Sequence, residues 1–150
     1  MNSRRDDSEA AFASALAADL RALIGKLKRR LREQANIGDF TPSQVSVLLR
    51  LEREGPTTMS NLARAEGMRP QSMGSAVAPL EAAGFVSGTP DPNDGRQTIL
   101  SLTDTCREWI REGRAARQDW LFRTIRTRLS SQEQKDLAAT VGLLRRLVDD

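Results

Sequence analysis

The sequence predicts a mainly α-helical fold that carries one small β-hairpin. Three observations lead there. Apolar residues recur at steps of three and four over most of the chain, the period of an amphipathic helix. Helix-start and helix-stop residues cut this periodic text into separate segments. One stretch, Thr98-Ile99-Leu100-Ser101-Leu102, instead alternates polar and apolar residues with β-branched side chains, and it follows an Asp94-Gly95 turn signal. With 150 residues, a single domain spanning 1–150 is expected, large enough to bury a core without disulfide staples.

The first helix is carried by Phe12, Leu16, Leu20, Leu23, Ile24, Leu27 and Leu31. It is expected over 10–35, and Asn36-Ile37-Gly38 breaks it. Its other face is basic: residues 21–33 hold six basic side chains against one acid, Glu33. Thr41-Pro42-Ser43-Gln44 then starts a second helix, with threonine at the N-cap, proline at N1 and glutamine completing a capping box. Val45, Leu48, Leu49 and Leu51 are expected on its buried side. Gly55-Pro56 ends it.

Thr58-Met59-Ser60-Asn61 opens a short helix through Glu66, with Leu62 and Ala63 facing inward, and Gly67 punctuates it. Arg69-Pro70 starts the next helix, which runs to about Ala83 and stops at Gly84. Met73, Ala76, Val77 and Leu80 form its apolar stripe. Pro79 sits late in this segment, where it should bend or shorten the last turn. Two short helices around a glycine turn form a helix-turn-helix. Phe85-Val86 leads away from it in extended form. The turn Pro90–Arg96 returns the chain to 98–102, giving a two-stranded hairpin, or wing.

Thr103 caps a long helix whose apolar side is marked by Trp109, Ile110, Ala116, Trp120, Leu121, Ile125 and Leu129. Seven arginines against three acids lie between 107 and 128. Ser130-Ser131-Gln132-Glu133 is a second capping box. Leu137, Val141, Leu144, Leu147 and Val148 line the final helix.

Composition excludes most catalytic chemistry. Histidine and tyrosine are absent, and there is one cysteine, Cys106. Triads, histidine metal sites and cysteine zinc sites are thereby removed. Nothing assembles a nucleophile, a base and an oxyanion site, so no enzyme, no metal and no cofactor are expected. No apolar run reaches the roughly 20 residues of a membrane span. The polar N-terminus Met1–Ala10 has no apolar signal core, so a cytoplasmic chain with a reduced thiol is expected. Net charge is +3, and all but three of the 23 basic residues are arginine. That balance permits nucleic acid as a partner without requiring it.

Residues 41–102 therefore read as a winged helix-turn-helix, in which the second helix can enter the major groove of double-stranded DNA. The stripes of 10–35 and 104–148 have no matching partner within so small a core. Exposed stripes of that size call for a second copy of the chain. Phe12, Leu16, Leu20, Leu23 and Trp120, with Leu137, Val141, Leu144, Leu147 and Val148, are the expected interface of such a homodimer.

The segments Leu62-Ala63, Gly67-Met68, Pro70, Leu80-Glu81, Gly84-Phe85-Val86, Asp91-Pro92-Asn93-Asp94-Gly95-Arg96 and Leu102-Thr103 resemble the MarR family of bacterial transcriptional regulators. Leu129-Ser130-Ser131-Gln132-Glu133 also resembles the usual start of that family's last helix. The resemblance covers about residues 12–148, and the wing signature is its most specific part. It implies a homodimeric regulator of a palindromic operator, usually a repressor, released by a small aromatic or lipophilic molecule or by cysteine oxidation. It places Arg96 on the wing arginine that enters the minor groove and Asp94 on the acid that orients it. Arg69, Gln71, Ser72 and Ser75 fall on the exposed start and face of the recognition helix. Ser60 and Asn61, followed by Arg64, fall where the preceding helix approaches phosphates. Gln71 suits bidentate pairing with adenine, and unpaired N–H groups at the start of helix 59–66 are expected to favour a phosphate.

The chain also departs from the family. Residues 55–102 hold three basic residues, Arg64, Arg69 and Arg96, against the four acids Glu66, Glu81, Asp91 and Asp94. Ser75, Pro79, Gly88 and Gly95 stand where basic residues are common. Phosphate neutralisation supplies most non-specific affinity, so this balance motivates an alternative: a ligand-sensing or protein-interaction module that kept the fold and lost operator binding. Trp109 and Trp120 are read first as packing, and otherwise, with Phe40, as the border of an effector pocket. Cys106 begins a helix, where the dipole can lower a thiol pKa. The ordinary reading is an inert thiol.

Overall fold

The computed structural model describes residues 2–35 and 38–150. The element order is α1 (Asn2–Glu33), α2 (Pro42–Glu54), β1 (Thr57–Thr58), α3 (Met59–Ala65), α4 (Pro70–Ala82), β2 (Val86–Pro90), β3 (Thr98–Leu102), α5 (Asp104–Arg128) and α6 (Ser131–Val148). The chain divides into two compact units: Asn36–Arg114, and Met1–Ala35 with Ala115–Asp150. Of the expected break after α1, Asn36 and Ile37 lie outside the described residues, and Gly38 has a positive φ of 67°.

Local chemistry explains the helix ends. Thr41 Oγ1 accepts from the Gln44 N–H while Gln44 Oε1 accepts from the Thr41 N–H, the reciprocal capping box. Ser130 and Glu133 repeat it at α6. Gly84, at φ 76°, ends α4 with the paired bonds Phe85 N–H to Leu80 C=O and Gly84 N–H to Glu81 C=O. This is a Schellman stop, and it needs a residue that tolerates the left-handed region. Gly67 ends α3 in the same way.

The core of the Asn36–Arg114 unit draws on every element in it. Val47, Leu48 and Leu51 of α2 meet Leu62 and Ala63 of α3, then Met73, Val77 and Leu80 of α4. Val86, Leu100 and Leu102 of the sheet and Cys106 and Ile110 of α5 close it. In α2, Leu48 and Leu51 are buried as expected, but the rest of the face differs. Val47 is fully buried, Val45 is half-buried and Leu49 is exposed. Several apolar residues in a row leave the phase of a helix ambiguous, and packing on α4 resolves it.

The sheet has three strands, not two, in the order β1-β3-β2, all antiparallel. Thr57 and Thr58 pair with Leu100 and Ile99, so β3 is central. An isolated hairpin is marginal in water, and the added strand and underlying helices anchor the wing. Pro79 neither ends nor shortens α4, which continues to Ala82. Helix α1 starts at Asn2, eight residues before the expected start at 10.

The other unit has a different character. Neither α1 nor α6 contains a buried residue. Phe12, Leu16, Leu23, Leu147 and Val148 are all more than half exposed.

Candidate nucleic-acid interface

Helix α4 presents its start to solvent. Arg69 is its N-cap residue, Pro70 occupies N1, and Arg69, Gln71, Ser72 and Ser75 are all exposed. Arg69 makes no side-chain cap bond, so its guanidinium is not committed to its own helix. Met73, Val77 and Leu80 hold the opposite face in the core. Ser75 Oγ donates to the Gln71 carbonyl at 3.3 Å, whereas the Gln71 side-chain amide has no hydrogen bond among the described residues. Arg64, Arg69 and Arg96 form no ion pair among the described residues. Their charge is available to an external anion.

The wing tip is built by its acids. Asp91 Oδ1 accepts from the Asn93 N–H at 2.9 Å, and Asp94 Oδ1 accepts from the Arg96 N–H at 3.1 Å. Such Asx turns replace backbone partners in a tight loop. Asp94 thus acts on the main chain of Arg96 and leaves the guanidinium exposed. Gly88 lies opposite Leu100, and a Cβ there would come within 2.8 Å of Thr98 Cγ2. A larger side chain at 88 requires Thr98 to move, which gives the missing basic residue in this strand a steric context.

The approach to phosphates from α3 differs from the expectation. Ser60, Asn61 and Arg64 are exposed, but the Asn61 N–H is already bonded to Thr58 Oγ1 at 3.2 Å. Thr58 is the N-cap. That bond uses one donor of the helix start, leaving the side chains of Ser60, Asn61 and Arg64 as the groups facing outward.

The turn between α3 and α4 is fixed from α2. Glu66 accepts from Arg50 Nε at 2.7 Å and from Ser46 Oγ at 3.1 Å. Arg50 also pairs with Glu54. The hydrogen bond that Arg50 donates to Glu66 is the main cause that raises the Arg50 pKa above its ordinary value. This cluster changes the charge picture of 55–102, because one of its four acids is matched by an arginine outside that window. Residue counting along the chain could not find this, since the partners are 16 and 20 residues apart.

Phe40 and Trp109, proposed to border a pocket, pack with Phe85 instead of standing apart. Ring centroids are 5.3 Å apart for Phe40–Phe85, 5.1 Å for Phe85–Trp109 and 6.2 Å for Phe40–Trp109. All three are half-buried against the core. Trp120 belongs to the other unit. Cys106 is fully buried, and loss of water around the thiol raises its pKa to about 11. The helix-start effect is overruled, and a reactive thiolate is not what this site holds. The described residues contain no cluster of potential metal ligands, and no described helix is long and apolar enough to cross a membrane.

Comparison with known proteins agrees with this architecture. Residues 40–98 match the MarR family. Over 135 residues the chain is 37% identical to an uncharacterised HTH-type transcriptional regulator of Mycobacterium bovis, covering 90% of this chain and 94% of that protein. A Mycobacterium leprae HTH-type transcriptional regulator, also uncharacterised, is 36% identical over the same shares. Among solved structures, a protein of Pseudomonas aeruginosa assigned as a transcriptional regulator is 36% identical with a TM-score of 0.76, over 90% of this chain and 94% of that one. A mutant of MepR from S. aureus, solved bound to an oligodeoxyribonucleotide, shares the fold at 18% identity and a TM-score of 0.70, over 89% and 97% of the two chains. An exposed helix start after a glycine turn, a wing stiffened by its own aspartates, and relatives similar over nine-tenths of the length lead to one assignment: the chain belongs to the MarR family of DNA-binding, HTH-type transcriptional regulators, which are not enzymes.

Proposed function

We propose that the protein is a homodimeric repressor that binds a palindromic operator through α4 and the wing. The observation that carries this is the exposed set Arg69, Gln71, Ser72 and Arg96, whose side chains have no partner among the described residues, on an otherwise well-anchored unit. Gln71 and Ser72 offer hydrogen bonds to base edges in the major groove. Arg96 suits a narrow A·T minor groove, where the negative potential is deepest. Ser60, Asn61, Arg64 and Ser75 supply backbone contacts, which set register without reading sequence.

The uncovered apolar faces of α1 and α6 support the dimer. A lone chain would keep Phe12, Leu16, Leu23, Leu147 and Val148 in water, and a second copy removes that cost. Two copies then present two α4 helices to half-sites about one helical turn apart. The effector that the family resemblance implies is small and aromatic or lipophilic, and to bind among Phe40, Phe85 and Trp109 it has to part rings that pack on one another. Such a ligand releases the operator by repacking these rings.

Selection of bound sequences from random DNA tests the reading. Enrichment of an imperfect palindrome with weaker binding at higher salt is expected. Equal binding of operator and random fragments at low salt would falsify it. The near-neutral charge of 55–102 favours a second reading, a ligand-sensing or protein-interaction module without operator binding. A stable complex with an identified protein, together with no enriched DNA, is the result expected of that alternative.

A further inference from the structure

Gln44, at the start of α2, is a buried polar residue, 8% exposed. One end of its amide serves its own helix: Oε1 accepts from the Thr41 N–H at 2.8 Å. The other end crosses to α4, where Nε2 donates to the Ala76 carbonyl at 3.1 Å, 32 residues away in sequence. The partners dictate this orientation, since the amide oxygen must meet an N–H and the nitrogen must meet a carbonyl.

The place it grips is a weak point of α4. Pro79 lies inside the helix and has no N–H, so the Ser75 carbonyl lacks its usual partner one turn on, and the ring presses on that carbonyl. Ala76 is the next residue. The rest of the attachment of α4 comes from Met73, Val77 and Leu80 in the core. Apolar contacts are non-directional. They hold α4 on the core and fix which face it buries, but being non-directional they leave a small rotation about its axis less sharply defined. A buried hydrogen bond resists rotation.

We propose that Gln44 is a positioning residue for sequence recognition: by holding the Ala76 carbonyl it sets the rotation of α4 that presents Gln71 and Ser72 to base edges. This rests on the reading of α4 as the recognition helix and adds the residue that aims it. Gln44 itself touches no DNA. Loss of its donor therefore lowers discrimination between sequences while sparing phosphate contacts, which tolerate a small rotation.

The test uses the full-length protein and the sequence selected by the wild type. Its readout is the ratio of affinity for that sequence to affinity for random DNA, measured well below the melting temperature. Gln44→Glu keeps the capping oxygen and removes the Nε2 donor. The ratio should fall about tenfold or more, the worth of a lost base contact, with random-DNA affinity changing less than about twofold. Thr41→Ala weakens the cap without touching the Ala76 bond, so it should lower the melting temperature and leave the ratio intact. A flat ratio in folded Gln44→Glu, or an equal fall in Thr41→Ala, overturns the proposal. Gln44→Met, which buries no charge, decides the matter if the carboxylate variant does not fold. Loss of the fold in both assigns Gln44 to stability alone and overturns it too. Wild type without any sequence preference removes the recognition reading itself, and this proposal with it.

Discussion

Arg96 stands at the tip of a wing whose turn is fixed by Asp91 and Asp94 acting on main-chain N–H groups. A side chain so placed loses little conformational freedom in the backbone when it meets DNA. Arg96→Ala should weaken operator binding by about 1–3 kcal/mol, read as a shift in Kd by titration of a labelled operator. Gln71→Ala should instead relax the base preference at one position, visible when selection from random DNA is repeated with the variant. Cys106 belongs to the core. Its folded-state pKa, about 11, lies above the ordinary value of 9.0 because burial disfavours the thiolate. The folded state thus holds the proton more tightly than the unfolded one. The stability it confers is complete below pH 9 and is lost as pH rises toward 11. Melting curves of wild type and Cys106→Ala should diverge in that window, and the native thiol should resist alkylation. Rapid labelling of the folded protein would contradict this.

At the scale of elements, the helices are specified mostly by their ends. The Thr41–Gln44 and Ser130–Glu133 boxes and the glycine stops at 67 and 84 were all legible, because each involves residues within a few positions of one another. Ser130→Ala should destabilise α6 by about 1 kcal/mol in thermal unfolding. Glu133 has its pKa lowered by the main-chain N–H of Ser130, so its part of the cap is present above the ordinary carboxylate pKa and is lost as pH falls through the lowered one. Leu48 packs fully buried at the centre of the reading unit, and Leu48→Ala should cost about 2–5 kcal/mol by chemical denaturation. Strand β1 was not legible. Two threonines make no period, and only their pairing with Leu100 and Ile99 makes them a strand. Leu49 is exposed and Val47, unassigned from the sequence, is buried for a related reason: a run of apolar residues specifies a helix without specifying which side meets the core. The bond from Gln44 to Ala76 was hidden as well, although the same glutamine was recognised as a cap.

For the whole molecule, the contrast between the two units is the main fact. One has a continuous core from α2 to the start of α5, with the Arg114–Glu52 pair at its end. The other carries amphipathic helices with nothing buried in α1 or α6. A chain of this kind is expected to be completed by its own copy. Leu16→Asp combined with Leu147→Asp should give monomers by sedimentation and abolish tight operator binding, with the reading unit still folded. Dimers unaffected by both changes would place the interface elsewhere.

The amino-acid order alone determined the helix-turn-helix, the wing, the capped starts of α2 and α6, the glycine stops of α3 and α4 and the two uncovered stripes. These depend on periodicity and on hydrogen bonds between near neighbours, which sequence spacing fixes directly. Tertiary structure alone decided that Cys106 is core, that Glu66 is neutralised from α2, that β3 is a central strand and that Gln44 reaches α4. Each of those depends on which distant residues meet. Burial and charge pairing are properties of that meeting, not of any residue or its spacing.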